Sequence, residues 1–70
     1  MRLEIDGEKI KERLKLLELK QWWVAEHVGV HPSTLKRWIN GQITAAHHES
    51  VIRLAKTLGA EAEEILTESA

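Results

Sequence analysis

The pattern of small and apolar residues between positions 21 and 40 constrains the fold more than any other feature of the chain. Two short helices can cross steeply only where their backbones come close, and Ala25 supplies a small side chain for that contact. Gly29 supplies the turn, because glycine enters the left-handed conformation of a sharp helix exit. The apolar residues at helical spacing on both sides form one shared core: Val24, Val28, Leu35 and Trp38. We therefore predict helices over residues 21–28 and 32–39.

A first helix and an extended arm precede this pair. Asp6 offers an N-cap to a helix over residues 7–18, since its carboxylate can accept from the free N–H groups of a first turn. The stretch "RLEI" alternates polar and apolar side chains, which is typical of a short strand or an extended arm. Three apolar residues recur at helical spacing within the helix: Ile10, Leu14 and Leu17.

Two further helices follow the pair. Thr44 is a plausible cap for a fourth helix that ends at Gly59, and acidic residues begin a short fifth helix over residues 61–67. The sequence therefore predicts a compact all-α domain of five helices over residues 1–70, with an N-terminal arm and the crossed pair at residues 21–40.

Composition narrows the class of protein. The chain has no cysteine, so it forms no disulfide and no thiolate metal site. No apolar run approaches the roughly 20 residues of a membrane span, and the start lacks the apolar stretch of a secretion signal. We expect a cytoplasmic protein that does not bind membranes.

The net charge of the chain is −1, which does not favour a polyanionic partner. The distribution of charge along the chain does favour one. Residues 9–43 contain seven Lys and Arg against three acidic residues, whereas residues 44–70 contain two against five. A local basic face matters more to a nucleic acid than the total charge of the chain.

The segment from Gln21 to Gly41 resembles the lambda-repressor/Cro-like (XRE) helix-turn-helix family. The matching positions are the opening Gln, the apolar–Ala pair, both glycines and the two apolar residues of the third helix: Gln21, Val24, Ala25, Gly29, Leu35, Trp38 and Gly41. The stretch "VIRLAKTLGAEAEEIL" is similar to the fourth and fifth helices of that family, so the resemblance covers about residues 10–66.

Three positions depart from the family pattern. Glu18 and Leu19 stand where a glycine-containing turn usually precedes the second helix. His31 replaces the usual Ser or Thr cap of the third helix and is expected to be a poorer cap. Trp22 and Trp23 replace polar residues after the opening Gln.

The resemblance implies roles for eight residues in DNA binding. Gln21 would donate to a phosphate, and Arg37 would read bases, since bidentate contact with guanine is the commonest specific pairing. The others would lie around them, at the groove or on phosphates: Trp22, His31, Pro32, Ser33, Lys36 and Asn40. A solvated helix face is the alternative for Lys36 and Arg37, and a purely structural helix start is the alternative for Pro32.

The implied function is sequence-specific binding of double-stranded DNA. The resemblance suggests a small transcriptional repressor of bacterial or phage origin, acting as a homodimer on a palindromic operator. Ile65, Leu66 and the arm are the candidate dimer interface. The alternative function is a protein-interaction module, such as the antitoxin partner of a toxin, which would use the tryptophan pair and the acidic residues 61–67.

The adjacent tryptophans cannot share one core, because successive helical residues point about 100° apart. Trp23 falls nearly opposite the inward direction, so we expect Leu3 and Ile5 of the arm to cover it. Trp22 is expected to be partly exposed beside Gln21, at the DNA-side rim. A dimer or partner interface is the alternative for both indoles.

Neither a metal site nor an active site is expected. The four histidines are separated along the fold and no cysteine accompanies them: His27, His31, His47 and His48. Ser33 and these histidines form no nucleophile–base set, so we predict no catalysis and no cofactor.

Overall fold

A computed structural model describes residues 2–67, and the predicted domain limits at residues 1 and 70 lie outside this part of the chain. It contains, in order, β1 (Arg2–Glu4), α1 (Gly7–Leu17), α2 (Gln21–Val28), α3 (Pro32–Ile39), β2 (Ala45–His47), α4 (His48–Thr57) and a 3-10 turn at Ala62–Glu64. The first three helices agree with their predicted limits to within one residue. None of the helices described is long and apolar enough to cross a membrane.

The predicted fifth helix is wrong, because residues 61–67 form a 3-10 turn followed by extended chain. Glu61 and Glu64 cap each other reciprocally: the Glu64 carboxylate accepts from Glu61 N–H at 2.8 Å, and the Glu61 side chain accepts from the Glu64 backbone. This capping box fixes the start of the turn, which is three residues long. Ile65 then enters the core and Leu66 forms a bridge with Ile5. The described residues hold four α-helices and a two-stranded sheet.

The N-terminal arm forms a short strand, one of its two predicted forms, and adds a two-stranded sheet to the predicted helical domain. It pairs with β2 and does not cover α2, which corrects the prediction for Leu3 and Ile5. β1 pairs antiparallel with β2, with Leu3 opposite Ala46. On its other side, Asp6 N–H donates to Ile65 O at 2.9 Å and Thr67 N–H donates to Glu4 O at 2.9 Å. Backbone hydrogen bonds to both sides satisfy donors and acceptors that a loosely laid arm would leave open.

Thr44 is not the cap of α4, because the chain stays extended beyond it. Its carbonyl accepts from Ile5 N–H at 2.7 Å, which extends the sheet contact of β1. His47 occupies the N-cap position of α4, and its side chain makes no capping hydrogen bond.

One apolar core joins every element. Its largest fully buried side chains are Ile5, Ile10, Val24, Val28, Leu35, Val51, Leu54, Leu58 and Ile65. Trp38 is buried as predicted, whereas Leu17, at the end of α1, is 43% exposed although it continues the helical spacing of Ile10 and Leu14. Ile65 was predicted at a dimer interface, and that prediction is wrong because the side chain is used inside its own domain.

Gly7 fixes the start of α1 against the end of α3. A Cβ atom at this position would collide with the backbone carbonyl groups of Trp38 and Ile39. These are backbone atoms, so a side chain could be accommodated only by moving α1 away from α3. The absence of a side chain at Gly7 therefore helps to hold α3 in place.

Candidate nucleic-acid interface

α2 and α3 cross at the residues that the sequence predicts. Val24, Ala25 and Val28 are buried on α2, and Ala25 is fully inaccessible to solvent. Gly29 ends the helix at φ 86°, in the left-handed region, and its N–H donates to Ala25 O at 2.9 Å. A residue with a side chain is strained at this φ, so the glycine allows the sharp turn into α3.

α3 has one buried face and one exposed face. Leu35, Trp38 and Ile39 point into the core, and Trp38 Nε1–H donates to Ala45 O at 3.3 Å, which ties α3 to β2. The structure brings together on the other side, all exposed, six of the predicted DNA-binding residues: His31, Pro32, Ser33, Lys36, Arg37 and Asn40. This face contains two cationic side chains and no acidic one.

His31 caps α3 through its imidazole, and its predicted weakness relative to a Ser or Thr cap stays a prediction. Ser33 N–H donates to His31 Nδ1 at 3.1 Å, and Ser33 Oγ lies 2.8 Å from the same nitrogen. Pro32 occupies the first turn, where its missing N–H leaves no hydrogen bond unmade.

The start of α2 is the second exposed region with predicted DNA contacts. Gln21 is its first residue, and the preceding Lys20 makes no capping hydrogen bond with its side chain. The first N–H groups of a helix have no partner within the helix, and the first turn here contains no acidic residue. Trp22 is 59% exposed beside Gln21, as predicted.

Trp23 lies differently from its prediction. It is half-buried, packs against the core from α2, and its ring lies 3.9 Å from that of His27 between centroids. His27 Nδ1–H donates to Trp23 O at 2.9 Å, which holds the two rings together. A helical wheel of α2 alone places Trp23 farther from the core than it lies in the structure.

Arg53 is a cation near the interface that the sequence analysis missed. It is exposed on α4, and its Nη1 lies 3.6 Å from the place where a Cβ on Gly29 would stand. The packing of α4 against α2 brings it to the turn that precedes α3. No local signal could have indicated this position, because residues 29 and 53 meet only through that packing.

Within residues 2–67, no group of three or more His, Cys, Asp or Glu side chains is placed to hold a metal ion.

A helix-turn-helix family model matches residues 10–65 of the chain, four-fifths of its length. The chain belongs to the helix-turn-helix family. Its fold is that of the lambda-repressor-like domains, as the sequence resemblance predicts. DNA binding in transcription regulation is the class of function that this membership carries. No curated protein sequence matches the chain.

Solved structures of two regulators and one enzyme share this helix-turn-helix fold. The chain is similar to the P22 c2 repressor in complex with synthetic operator 9T in the presence of Tl+, with 25% identity, a TM-score of 0.80, and coverage of 90% of this chain and 94% of that chain. It is similar to the restriction-modification controller protein C.AhdI from Aeromonas hydrophila, with 24% identity, a TM-score of 0.75, and coverage of 83% and 86%.

The third similar structure is the hydroxypropylphosphonic acid epoxidase from S. wedmorenis in complex with fosfomycin. Identity is 23% and the TM-score is 0.70, and the match covers 87% of this chain but only 32% of the epoxidase. The fold therefore also occurs as one part of a larger enzyme, so the detailed function has to be argued from the residues of this chain.

Proposed function

We propose that this helix-turn-helix domain is a sequence-specific repressor that binds double-stranded DNA as a homodimer on a palindromic operator. α3 enters the major groove and presents its exposed face to the base edges. The proposal includes no catalysis and no cofactor.

The observation that carries this proposal is the division of α3 into two faces. One face is fixed by three buried side chains, so the helix cannot rotate to hide the other. The exposed face presents Lys36 and Arg37 with no acidic residue between His31 and Asn40. An exposed α-helix is about 10–12 Å in diameter with its side chains, which fits a major groove about 12 Å wide.

Each residue of the exposed face has a role that follows from its place. Arg37 reads a base, because its guanidinium can form two parallel hydrogen bonds with guanine. Lys36 and Asn40 contact phosphates, and Pro32 and Ser33 lie at the leading end of α3. His31 lies at the same end.

The start of α2 gives a second point of attachment. Gln21 and the free N–H groups of the first turn present hydrogen-bond donors, and a helix N-terminus favours anions. Trp22 lies beside them, where its indole N–H can donate to a phosphate. Contacts with the backbone at this point orient α3 in the groove.

Dimerisation follows from how little DNA one domain can read. A helix of eight residues reads only a few base pairs, and such domains gain specificity by binding two half-sites about 34 Å apart. The predicted interface was wrong for Ile65 and Ile5, since both are buried within the domain. The number of protomers bound to each palindromic duplex at saturation tests the dimer without reference to a particular interface.

The test is a selection of binding sites from random duplexes, followed by affinity measurements at several salt concentrations. Arg37→Ala should lose about 1–3 kcal/mol on the selected duplex and relax the preference at one base pair per half-site. Lys36→Ala should weaken binding to all duplexes alike and lower the salt slope by about one per site. Two protomers should bind each palindromic duplex at saturation.

Lys56→Ala is the matched control, because it removes an exposed lysine from α4 instead of α3. An equal effect of Lys56→Ala and Lys36→Ala would reject the assignment of α3 as the DNA-reading helix. One protomer per saturated palindrome would reject the dimer.

Exposed apolar side chains favour a protein-interaction module as the second candidate. Leu16 and Leu17 are exposed at the end of α1, and Trp22 is exposed at the start of α2. DNA binding weakens steeply with salt, whereas an apolar protein contact does not. A chain that binds no duplex even at low salt would favour this second candidate.

A further inference from the structure

We infer that His31 is a proton-sensitive cap that holds the DNA-reading end of α3 in place only while its imidazole is neutral. The inference rests on the proposed function of α3, because it concerns how pH acts on that same helix.

The hydrogen bonds of His31 define which of its nitrogens carries the proton. A backbone N–H can only donate, so the bond from Ser33 N–H at 3.1 Å requires an unprotonated Nδ1. The Ser33 hydroxyl, 2.8 Å from Nδ1, can then donate to the same nitrogen. The neutral ring therefore carries its proton on Nε2.

His27 shows the opposite arrangement in the same domain. A carbonyl can only accept, so the 2.9 Å contact with Trp23 O requires a proton on Nδ1. A second proton on Nε2 leaves this bond intact. Protonation therefore breaks the bond that His31 accepts from Ser33 N–H but preserves that of His27. The Ser33 hydroxyl can then accept from the protonated Nδ1 instead of donating to it.

Two effects act on α3 when His31 gains a proton. Nδ1 becomes a donor and can no longer accept from Ser33, and a positive charge then stands at a helix N-terminus, where the helix dipole disfavours it. The cap is therefore present while the imidazole is neutral and is lost when the imidazole gains a second proton. The residues released are Pro32 and Ser33, at the leading end of α3.

No nearby carboxylate compensates for the charge. Among the side chains of residues 3–67, one ion pair is present, between Arg13 and Glu64, so no carboxylate of this part of the chain pairs with His31. Glu26 and His27 precede the turn into α3 in the sequence, Arg53 Nη1 lies 3.6 Å from the Cβ position of Gly29 in that turn, and Lys36 and Arg37 follow on α3. The two arginines and the lysine are cationic, and the Ser33 hydroxyl can accept from the protonated ring without restoring the bond to Ser33 N–H.

His47 is a natural control within the chain. It is also an exposed histidine at an N-cap position, that of α4, but its side chain makes no capping hydrogen bond. Its protonation therefore removes no cap. Asparagine caps helices well and does not titrate, so His31→Asn and His47→Asn form a matched pair.

The first experiment uses the chain without DNA. Long-range nitrogen–proton NMR should show the Nε2–H form for neutral His31 and the Nδ1–H form for neutral His27. The wild-type Tm should fall about 4 °C further than that of His31→Asn between about pH 8 and pH 5.5, as expected for the loss of one cap. An Nδ1–H form for His31, or equal falls in Tm, overturns the inference.

The second experiment measures binding to a selected duplex and to a scrambled duplex of the same composition. The ratio of the two affinities should fall about threefold to tenfold in the wild type as the pH drops, the factor that corresponds to a lost cap. Each variant is compared with its own value at high pH. His31→Asn should keep its ratio, and His47→Asn should lose specificity as the wild type does.

The two experiments distinguish failure of the inference from failure of the proposed function. If no variant prefers any duplex at high pH, the proposed function fails, and the tautomer and Tm of the free chain still decide whether His31 is a proton-sensitive cap. If the wild type is specific and His31→Asn shows the same dependence on pH, the inference fails and the proposed function stands.

Discussion

The helix-turn-helix of residues 21–40 and the N-terminal strand β1 are stabilised in different ways. The helix pair is defined by residues close together in sequence: Ala25 at the crossing, Gly29 at the turn and Pro32 at the start of α3. β1 finds its partners far along the chain, at residues 45–47 on one side and 65–67 on the other. The shape of the surface proposed to bind DNA is therefore set by residues close in sequence. Its stability depends on a core to which segments distant in sequence contribute.

The largest effect is expected from the distant contacts. Ile5→Ala removes a side chain that is 1% exposed between β1 and the core, and should lower the free energy of unfolding by about 2–5 kcal/mol. Chemical denaturation measures the change. Leu17→Ala, at a half-exposed aliphatic side chain, is the control and should cost only about 0.5 kcal/mol. Equal losses in free energy of unfolding for both variants would show that burial of Ile5 contributes no more to stability than an exposed leucine does.

The next effect concerns the local determinants. Ala25→Leu places three additional carbon atoms where α2 crosses α3, and overpacking of this kind should cost about 1–3 kcal/mol. Ala45→Leu adds the same atoms at an exposed position of β2 and should change stability little. A thermal melt of Ala25→Leu that matches the parent would contradict the close crossing of the two helices.

A smaller effect of opposite sign is expected at the junction between α1 and α2. Glu18 has φ 54°, in the left-handed region, and is the one residue other than glycine with a positive φ among those described. Glu18→Gly should raise the free energy of unfolding by about 0.5–1 kcal/mol, because glycine adopts this conformation without strain. Glu18→Ala, which keeps a Cβ atom, should bring no such gain, and a destabilised glycine variant would refute the strain argument.

The smallest effect on stability is expected at Trp22. Trp22→Gln should change the free energy of unfolding by no more than about 0.5 kcal/mol, since the indole is largely exposed. Affinity for duplex DNA should fall in the same variant if the indole contacts a phosphate. A large loss of stability with unchanged affinity would assign Trp22 to the fold instead of the surface.

The sequence predicted the segments whose signals are local. The limits of α2 and α3 and the burial of Val24, Leu35 and Trp38 were confirmed, because helical spacing and a terminal glycine act within a few residues. Six residues of the candidate site lie exposed on α3 and at its two ends: His31, Pro32, Ser33, Lys36, Arg37 and Asn40. Their contacts with DNA stay predictions.

The errors occurred where the outcome depends on distant partners. An alternating stretch such as "RLEI" can be an arm or a strand, and only the extended segments at residues 45–47 and 65–67 decide between them. Thr44 looked like a helix cap because its pairing with Ile5 is invisible in the local sequence. Arg53 was missed for the same reason, since it reaches Gly29 only through the packing of α4 on α2.

The position of β1 between two later segments has a consequence during translation. The ribosome releases residues 21–40 before the segments that hold β1, and contacts between distant residues form only after the intervening chain has been closed into a loop. A nascent chain that stops before Ile65 lacks one side of this pairing and a buried core residue. The fold around α3 is therefore less stable in such a chain. Only a chain that includes Ile65 can hold the exposed residues of α3 in their native positions.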